Sequence, residues 1–254
     1  IKNTSKNALN SLSRNKTNLT EIIHDNQINQ ITNELRKELE GNEEEIKLIQ
    51  INQEGKCNLL IAIQEYREDD ELRRQIIECG IVDALLHIFL TRSLESITLA
   101  YINAFFQLTL TCKEIKQQIY LKNPYPALIR LLDHPDKEIV NTAVVSIFNI
   151  QLCGLDTTSS TEQHPHYEEI AVNEGIEKIF NLFQMNVSKF SKDRAAICLG
   201  RFFRCYEITN ELMRREIINH LITLLTDKDS RIKNTSKNAL NSLSRNKSIR
   251  QFKQ

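Results

Sequence analysis

The feature that most constrains the fold is a duplicated segment. Ile1–Lys16, IKNTSKNALNSLSRNK, recurs letter for letter at Ile232–Lys247. Chance does not produce such identity, so we interpret it as a block of 231 residues that recurs in a longer tandem protein. A duplication made during cloning or sequence assembly is the alternative. Because the chain opens on this helical phrase at Ile1 and not at Met, we expect further sequence before it.

A shorter period runs inside the block. One helix position recurs at intervals of 53, 43, 42, 52 and 41 residues, at Ser11, Gln64, Gln107, Asn149, Arg201 and Ser242. The long duplication is therefore in register with about five repeats, two of which carry extra residues. A period near 42 residues is typical of helical solenoids, in which each repeat stacks on its neighbours.

Composition favours an all-α protein with a sizeable core. Only 6 Gly and 4 Pro occur, no Asn-Gly or Asp-Gly hairpin turn is present, and 41% of residues are hydrophobic. Lys plus Arg and Asp plus Glu both number 33, so the charge gives no reason to expect nucleic acid or an anionic membrane. The longest apolar run, Ile81–Leu90, is about half the length that spans a bilayer, and we expect no membrane span.

Six cysteines are scattered without CxxC pairs, and most fall on apolar helix faces. This usage favours a reducing, intracellular setting, with the cytoplasm ahead of the nucleus.

Each repeat divides into three helical phrases. A short polar phrase such as Glu71–Glu78 comes first, and a long helix such as Asn141–Gln151 comes last. The middle phrases carry apolar residues at i, i+3, i+4 and i+7, which predicts a buried helix face. They are GIVDALLHIF from Gly80, NPYPALIRLL from Asn123, EGIEKIFNLF from Glu174 and EIINHLITLL from Glu216. At the bend before them we expect left-handed backbone at Gly80, Asn123 and Gly175.

This pattern of a short helix, Gly, "x-x-x-A-L-x-x-L-L", a polar gap and a long helix ending "A-x-x-x-x-x-N-I" resembles the armadillo repeat. The match is good over Glu71–Ser244 and weaker over Thr17–Glu54. HEAT repeats, with two helices in place of three, are the neighbouring alternative. The resemblance implies an all-α, right-handed superhelical solenoid of armadillo-like three-helix repeats. We expect residues 1–16 to end a preceding repeat, 17–247 to form about five repeats, and 248–254 to begin another.

The resemblance also implies a binding surface. In armadillo proteins the third helices line a concave groove, where asparagines hold the main chain of an extended peptide and tryptophans four residues earlier stack on its side chains. An amide offers both a donor and an acceptor to a peptide backbone. Mapping this pattern and its neighbouring turn onto the chain gives the candidate site residues Gln64, Asn103, Gln107, Asn149, Arg201, Arg204, Asn238 and Ser242.

The chain departs from the family at these positions. Only Asn149 matches the asparagine position, and the chain has no Trp at all. At the tryptophan position stand Leu60, Asn103, Val145, Ile197 and Asn238. This departure argues against the alternative of a nuclear transport receptor of the importin-α type. Arg201 and Arg204, one turn apart, could instead recognise a carboxylate or phosphate.

The segment Cys153–His166 is predicted to be a loop insertion, because Gly, Pro, Ser and Thr cluster there. It could carry binding or regulation, or be an insertion without a role. Its best metal candidates are Cys153, Glu162, His164, His166 and Glu168. Their spacing is poor for zinc, and no Walker, G-x-S-x-G, G-x-G-x-x-G or His-Glu-x-x-His motif occurs, so an enzyme or metal protein using this loop is the least favoured alternative. We expect no catalytic residue, cofactor, metal or small-molecule substrate.

The two ends of the sequence differ in charge. Near the start, an amphipathic helix with Ile28, Ile31, Leu35 and Leu39 is predicted to end at Gly41-Asn42, and Glu43-Glu44-Glu45 to open the next helix. From residue 227 onward the sequence contains eight basic residues and two acidic ones. The basic residues are Lys228, Arg231, Lys233, Lys237, Arg245, Lys247, Arg250 and Lys253, and the acidic ones are Asp227 and Asp229. Among these basic residues stands one aromatic residue, Phe252, which is too few for the base stacking that single-stranded nucleic acid requires, so nucleic acid is not favoured. The sequence predicts a non-enzymatic scaffold or adaptor for a protein or extended peptide.

Overall fold

Helices account for all the regular secondary structure in the computed structural model, which describes residues 25–65, 70–159 and 161–244. This confirms the predicted all-α class. The predicted segments 1–16 and 248–254 lie outside the described residues, as does the end of the basic tail. The α-helices are α1 (Asp25–Leu35), α2 (Glu43–Glu65), α3 (Asp70–Glu78), α4 (Ile81–Thr91), α5 (Leu99–Thr109), α6 (Lys113–Tyr120), α7 (Tyr125–Arg130), α8 (Lys137–Thr157), α9 (Tyr167–Val172), α10 (Gly175–Met185), α11 (Lys189–Phe202), α12 (Glu211–Thr223) and α13 (Ser230–Leu243).

The chain forms two compact units, Ile1–Pro124 (unit 1) and Tyr125–Gln254 (unit 2). In unit 1 the α2 helix packs on α5, and the rings of Phe89 and Phe105 meet edge to face with centroids 6.0 Å apart. In unit 2 the α11 helix packs on α8, α10 and α13, and Tyr125 meets Phe202 in the same geometry at 6.2 Å. In both units the long third helices form the centre of the packing.

The bend between a first and a second helix uses left-handed backbone. Gly80 has φ 82° and Asn123 has φ 53°, as predicted. The prediction for Gly175 is wrong, because the left-handed residue there is Glu174, at φ 58°. Gly175 is needed for another reason: a Cβ on it would lie 2.9 Å from the carbonyl oxygen of Ile170. Close packing explains this glycine, whereas φ explains Gly80.

The last repeat has two helices where three phrases were predicted. Residues 211–223 form the single helix α12, and Glu216, a good helix former, continues it at the position where the other repeats have the left-handed residues Gly80, Asn123 and Glu174. The side chain of Asn210 caps this helix by accepting a hydrogen bond from the backbone N–H of Met213 at 3.0 Å. This repeat therefore has the two-helix arrangement of the HEAT alternative.

Helix α1 ends at Leu35, earlier than the predicted end at Gly41. Gln53 of α2 explains the early end, because its Nε2 donates to the carbonyl oxygens of Glu34 and Lys37 at 2.8 and 2.9 Å. These bonds satisfy carbonyl groups that a longer helix would have paired internally.

Asn42 caps α2 as half of a capping box. Its Oδ1 accepts hydrogen bonds from the backbone N–H groups of Glu44 and Glu45, each at 3.0 Å. The Glu45 carboxylate accepts one in return from the Asn42 backbone at 2.8 Å. The acidic run therefore opens a helix, as predicted.

One stretch, Lys137–Leu155 within α8, is long and apolar enough to cross a membrane, yet 72% of it is buried inside the protein. The apolar side chains of Ala143, Val144, Ile147 and Ile150 are fully covered. In this structure α8 is thus a core helix of unit 2.

Candidate functional site

The predicted site residues of unit 1 lie on α2 and α5. Gln64 is buried, and its Nε2 donates to the carbonyl oxygen of Leu60 in the preceding turn at 3.1 Å. Its Oε1 has no hydrogen-bond partner among the described residues. Asn103 and Gln107, on successive turns of α5, are half-buried and present part of their surface to solvent.

The predicted site residues of unit 2 are mostly covered. Asn149 on α8, Arg201 on α11 and Ser242 on α13 are buried, whereas Asn238 is exposed. The Ser242 hydroxyl donates to the carbonyl oxygen of Asn238 at 3.0 Å, within its own helix. Of the predicted site residues of unit 2 named here, Asn238 is therefore the one that presents a large part of its surface to solvent.

Arg201 is covered because its guanidinium lies against the preceding third helix. The Cζ of Arg201 is 5.1 Å from the ring centroid of Phe148 on α8. A second arginine of α11, Arg194, lies 5.1 Å from the same ring and 5.6 Å from the ring of Phe190. Phe148, Phe190, Arg194 and Arg201 thus form an alternating stack of rings and guanidinium groups, the arginine–phenylalanine cluster.

This cluster has an open side. Phe190 is 48% exposed, and Arg194 is half-buried. The Nε of Arg194 is itself buried and has no hydrogen-bond partner in the part of the chain that the structure describes, so the accessible part of this side chain is the rest of its guanidinium. An exposed ring beside a partly exposed guanidinium can contact an apolar group and a carboxylate of the same ligand.

Sequence reasoning missed Phe190 and Arg194. It looked four residues before the ladder position, at Ile197, which is fully buried. The pair begins at Phe190, about two turns before Ile197, with an aromatic residue and a cation at i and i+4 on one helix face. That spacing was the available signal.

Hydrogen bonds fix α8 against α11. The Nε2 of Gln151 donates to the backbone carbonyl oxygen of Cys198 at 2.8 Å. At the start of α11, Ser188 caps the helix by accepting from the backbone N–H of Ser191, and its hydroxyl lies 3.3 Å from Oδ1 of Asn141 on α8. The two helices that carry the cluster are thus held in one register.

The loop after α8 is shorter than predicted, and its two histidines pack into unit 2. The predicted start at Cys153 is wrong, because α8 continues to Thr157. His164 and His166 are buried. Nε2 of His164 donates to the carbonyl oxygen of Gln151 at 3.1 Å, and its Nδ1 accepts from the backbone N–H of His166. Both nitrogens of His164 are therefore occupied in its neutral form.

Burial lowers the pKa of both histidines. The pKa of His166 falls to about 4, and that of His164 lies well below its usual value, with the neighbouring His166 as a second cause. No group of His, Cys, Asp and Glu suited to a metal ion occurs among the described residues. In this structure the two imidazoles serve as neutral packing and hydrogen-bonding groups.

Arg204 contacts the loop, which differs from its predicted contact with a ligand. The side chain is 2% exposed. It donates to the carbonyl oxygens of Gln163 and Leu155 at 3.0 and 3.4 Å, and to the hydroxyl of Thr158. Within unit 2, Arg194 is the arginine that keeps an accessible side next to Arg201.

The cysteines on helix faces pack as small apolar residues. Cys57, Cys153 and Cys198 are buried. Burial raises the pKa of the Cys198 thiol to about 12 and also raises that of Cys57. Neither of these two thiols is set up as a nucleophile, because the reactive form is the thiolate.

No protein-family model and no curated protein sequence matches the chain. Solved structures do match it. A designed armadillo repeat protein in complex with the peptide (KR)4 superposes with a TM-score of 0.61 at 14% identity, over 95% of this chain and 92% of that one. A computationally designed armadillo repeat protein for modular peptide recognition gives 0.62 at 15%, over 94% and 92%.

A natural neighbour is the armadillo repeats only protein of Plasmodium falciparum. It superposes with a TM-score of 0.55 at 13% identity, over 86% of this chain and 92% of that one. Identities this low show the fold alone. The fold of this chain is armadillo-like, an all-α solenoid of helical repeats.

Proposed function

We propose that the chain is a non-enzymatic scaffold that binds an extended acidic segment of another protein, on the third-helix surface of unit 2. The observation that carries this proposal is the arginine–phenylalanine cluster of α8 and α11. Designed proteins of this fold bind peptides, as their descriptions state, which supports a peptide or protein as the kind of partner.

The cluster favours a partner with carboxylate or phosphate groups. A guanidinium stacked on a ring keeps its N–H edge available for two parallel hydrogen bonds to an anionic group. The exposed ring of Phe190 adds an apolar contact beside it. The half-buried amides of Asn103 and Gln107 in unit 1, and the exposed Asn238 in unit 2, remain proposed contacts to a peptide backbone.

The alternative of an importin-α type receptor requires acidic pockets for lysine side chains. The (KR)4 peptide belongs to the designed neighbour, whereas the cluster here is itself cationic. Leu60 and Ile197, which stand at tryptophan positions, are buried and cannot stack on a ligand. A basic peptide is therefore the comparison that separates the two functions.

Fluorescence anisotropy with labelled extended peptides tests the proposal. Peptides rich in Glu and Tyr, in Lys and Arg, or in Gly and Ser are titrated with the purified chain. We expect the acidic peptide to bind tightest, and Arg194→Gln to weaken its binding about tenfold by removing a charged donor. Phe190→Ala should weaken it as well, because an apolar contact is lost.

Arg74→Gln is the matched control, since it removes the same charge from the exposed face of the first helix α3. It should leave binding unchanged. Preference for the basic peptide would favour the importin-type alternative, and equal losses in the two arginine variants would refute the cluster as the site.

We also propose an intracellular location. The buried, unreactive thiols of Cys57 and Cys198 are compatible with a reducing compartment. The enzyme alternative has its candidate residues in the loop, where His164 and His166 are engaged in the core of unit 2.

A further inference from the structure

The last two described helices of unit 2 leave an apolar groove between them. It lies between α12 and α13, has a volume of about 590 Å³, and has Ile218, Ile222, Leu225 and Leu240 among its lining residues. Ile222 is 51% exposed. The polar rim includes Arg214, Arg215 and Lys237. In a solenoid this is the kind of surface on which a following repeat stacks.

The first described helices of unit 1 carry a second apolar surface. Leu48 and Ile51 of α2 are 59% and 54% exposed. Gly55 lies on the same helix stripe, and a Cβ on it would meet no atom within 4 Å. These three residues are spaced at i, i+3 and i+7, so they form one continuous open stripe on α2.

The duplicated sequence relates these two surfaces. Residues 1–16 stand eight residues before α1 in the sequence, and they are identical to residues 232–247, which include most of α13. A segment with the α13 sequence is therefore what stands before α1 and α2 in this chain. The α13 helix of another copy would offer α2 the same side chains.

Charge favours the same pairing. The region of α1 and α2 is acidic, with Asp25, Glu34, Glu38, Glu40, Glu43, Glu44, Glu45, Glu54 and Glu65 against Arg36, Lys37, Lys47 and Lys56. The region of α12 and α13 is basic, with Arg214, Arg215, Lys228, Arg231, Lys233 and Lys237 against Glu211, Glu216, Asp227 and Asp229. Opposite charges on two surfaces set the orientation in which they meet.

We propose that copies of this chain associate head to tail, with the α12–α13 groove of one copy covering the Leu48–Ile51 stripe of the next. The contact joins two different surfaces, so each copy keeps one of them for a further copy. Such heterologous association continues until it closes into a ring or forms an open chain. The occupant of the groove is a second copy of this chain.

Two single variants test the geometry by sedimentation velocity. Leu48→Glu blocks only the α2 stripe, and Ile222→Glu blocks only the α12–α13 groove. We expect the unaltered chain to form species larger than a dimer as its concentration rises from about 1 to 300 μM, and each variant alone to stay monomeric. An equimolar mixture should form dimers and nothing larger, because one intact groove meets one intact stripe.

Val172→Glu is the control, since Val172 is 80% exposed on α9 and outside both surfaces. It should associate like the unaltered chain. Circular dichroism confirms the fold of each variant, and Leu48→Gln with Ile222→Gln replaces any glutamate variant that loses helicity.

Three results would overturn the proposal. The unaltered chain could remain monomeric at every concentration, which would leave the groove to its own tail or to another protein. Either single variant could still self-associate, which would indicate a symmetric contact. The mixture could also stay monomeric.

Discussion

The hydroxyl oxygen of Tyr125 lies 2.7 Å from Nδ1 of His166, so the loop after α8 is hydrogen-bonded to the first residue of α7. Both side chains are buried, and their rings contact each other with centroids 5.7 Å apart. Protonating His166 would place a charge in this apolar contact. We therefore expect the loop to be sensitive to pH.

Acid should destabilise unit 2 through this histidine. The folded-state pKa of about 4 lies below the unfolded value of 6.5, so the contribution is complete above pH 6.5 and is lost as pH falls towards 4. Between pH 7.5 and 5.0 we expect His166 to account for about 2 kcal/mol of lost stability. Urea unfolding at the two pH values measures this loss.

His166→Asn should make the pH dependence shallower, because its Oδ1 can still accept from the Tyr125 hydroxyl but does not titrate. His87→Asn is the control, since His87 is exposed beside Glu38. An unchanged slope in His166→Asn would contradict the assignment.

Arg204→Lys should release the loop while keeping the charge. A lysine cannot reach Leu155, Thr158 and Gln163 at once, because it lacks the forked guanidinium. We expect backbone amides of residues 158–166 to exchange with deuterium at least about tenfold faster, with little change elsewhere in unit 2. Arg231→Lys, at an exposed position on α13, should leave the loop protected. Equal protection in both variants would show that Arg204 does not hold the loop.

Two helical glycines should respond to alanine with opposite signs. Gly55→Ala should raise the free energy of unfolding by about 0.5–1 kcal/mol, because the new Cβ meets no atom. Gly200→Ala should lower it by about 1–3 kcal/mol, because its Cβ would lie 2.9 Å from that of Ala239 on α13 and force the two helices apart. Chemical unfolding of the two variants gives the comparison, and a gain at Gly200 would refute the close approach.

Glu174→Gly should stabilise the protein by about 0.5–1 kcal/mol, because glycine adopts the left-handed backbone at φ 58° without a Cβ penalty. The Glu174 side chain is exposed and makes no capping hydrogen bond to α10. Glu174→Ala keeps the Cβ and should give no such gain. Thermal unfolding distinguishes the two, and equal melting temperatures would count against backbone strain at this residue.

Periodicity was enough to predict the helices, because apolar spacing along the chain determines which helix faces are buried. It also predicted the turns at Gly80 and Asn123. It failed at Glu174, where the left-handed residue is one that disfavours that conformation. It failed again at α12. Two separate phrases were predicted there by comparison with the other repeats, but no helix-breaking residue separates them, and they form one helix.

The candidate site was predicted less well for a geometric reason. The ladder position was found by its spacing from one repeat to the next, but spacing does not say which neighbour covers a side chain. Arg201 is covered because Phe148 of the previous third helix provides a ring for it. The sequence contains no local sign that His164 and His166 pack into unit 2, since their partners Gln151 and Tyr125 lie elsewhere in the chain.

The continuous helix α12 also has a mechanical consequence. In the other repeats a single left-handed residue joins the first and second helices, and Gly80 rotates about its backbone more freely than any residue inside a helix. Such joints can bend under load, whereas α12 has no joint between residues 211 and 223. We expect elastic deformation to concentrate at Gly80, Asn123 and Glu174, and the last described repeat to bend less than the repeats that contain these residues.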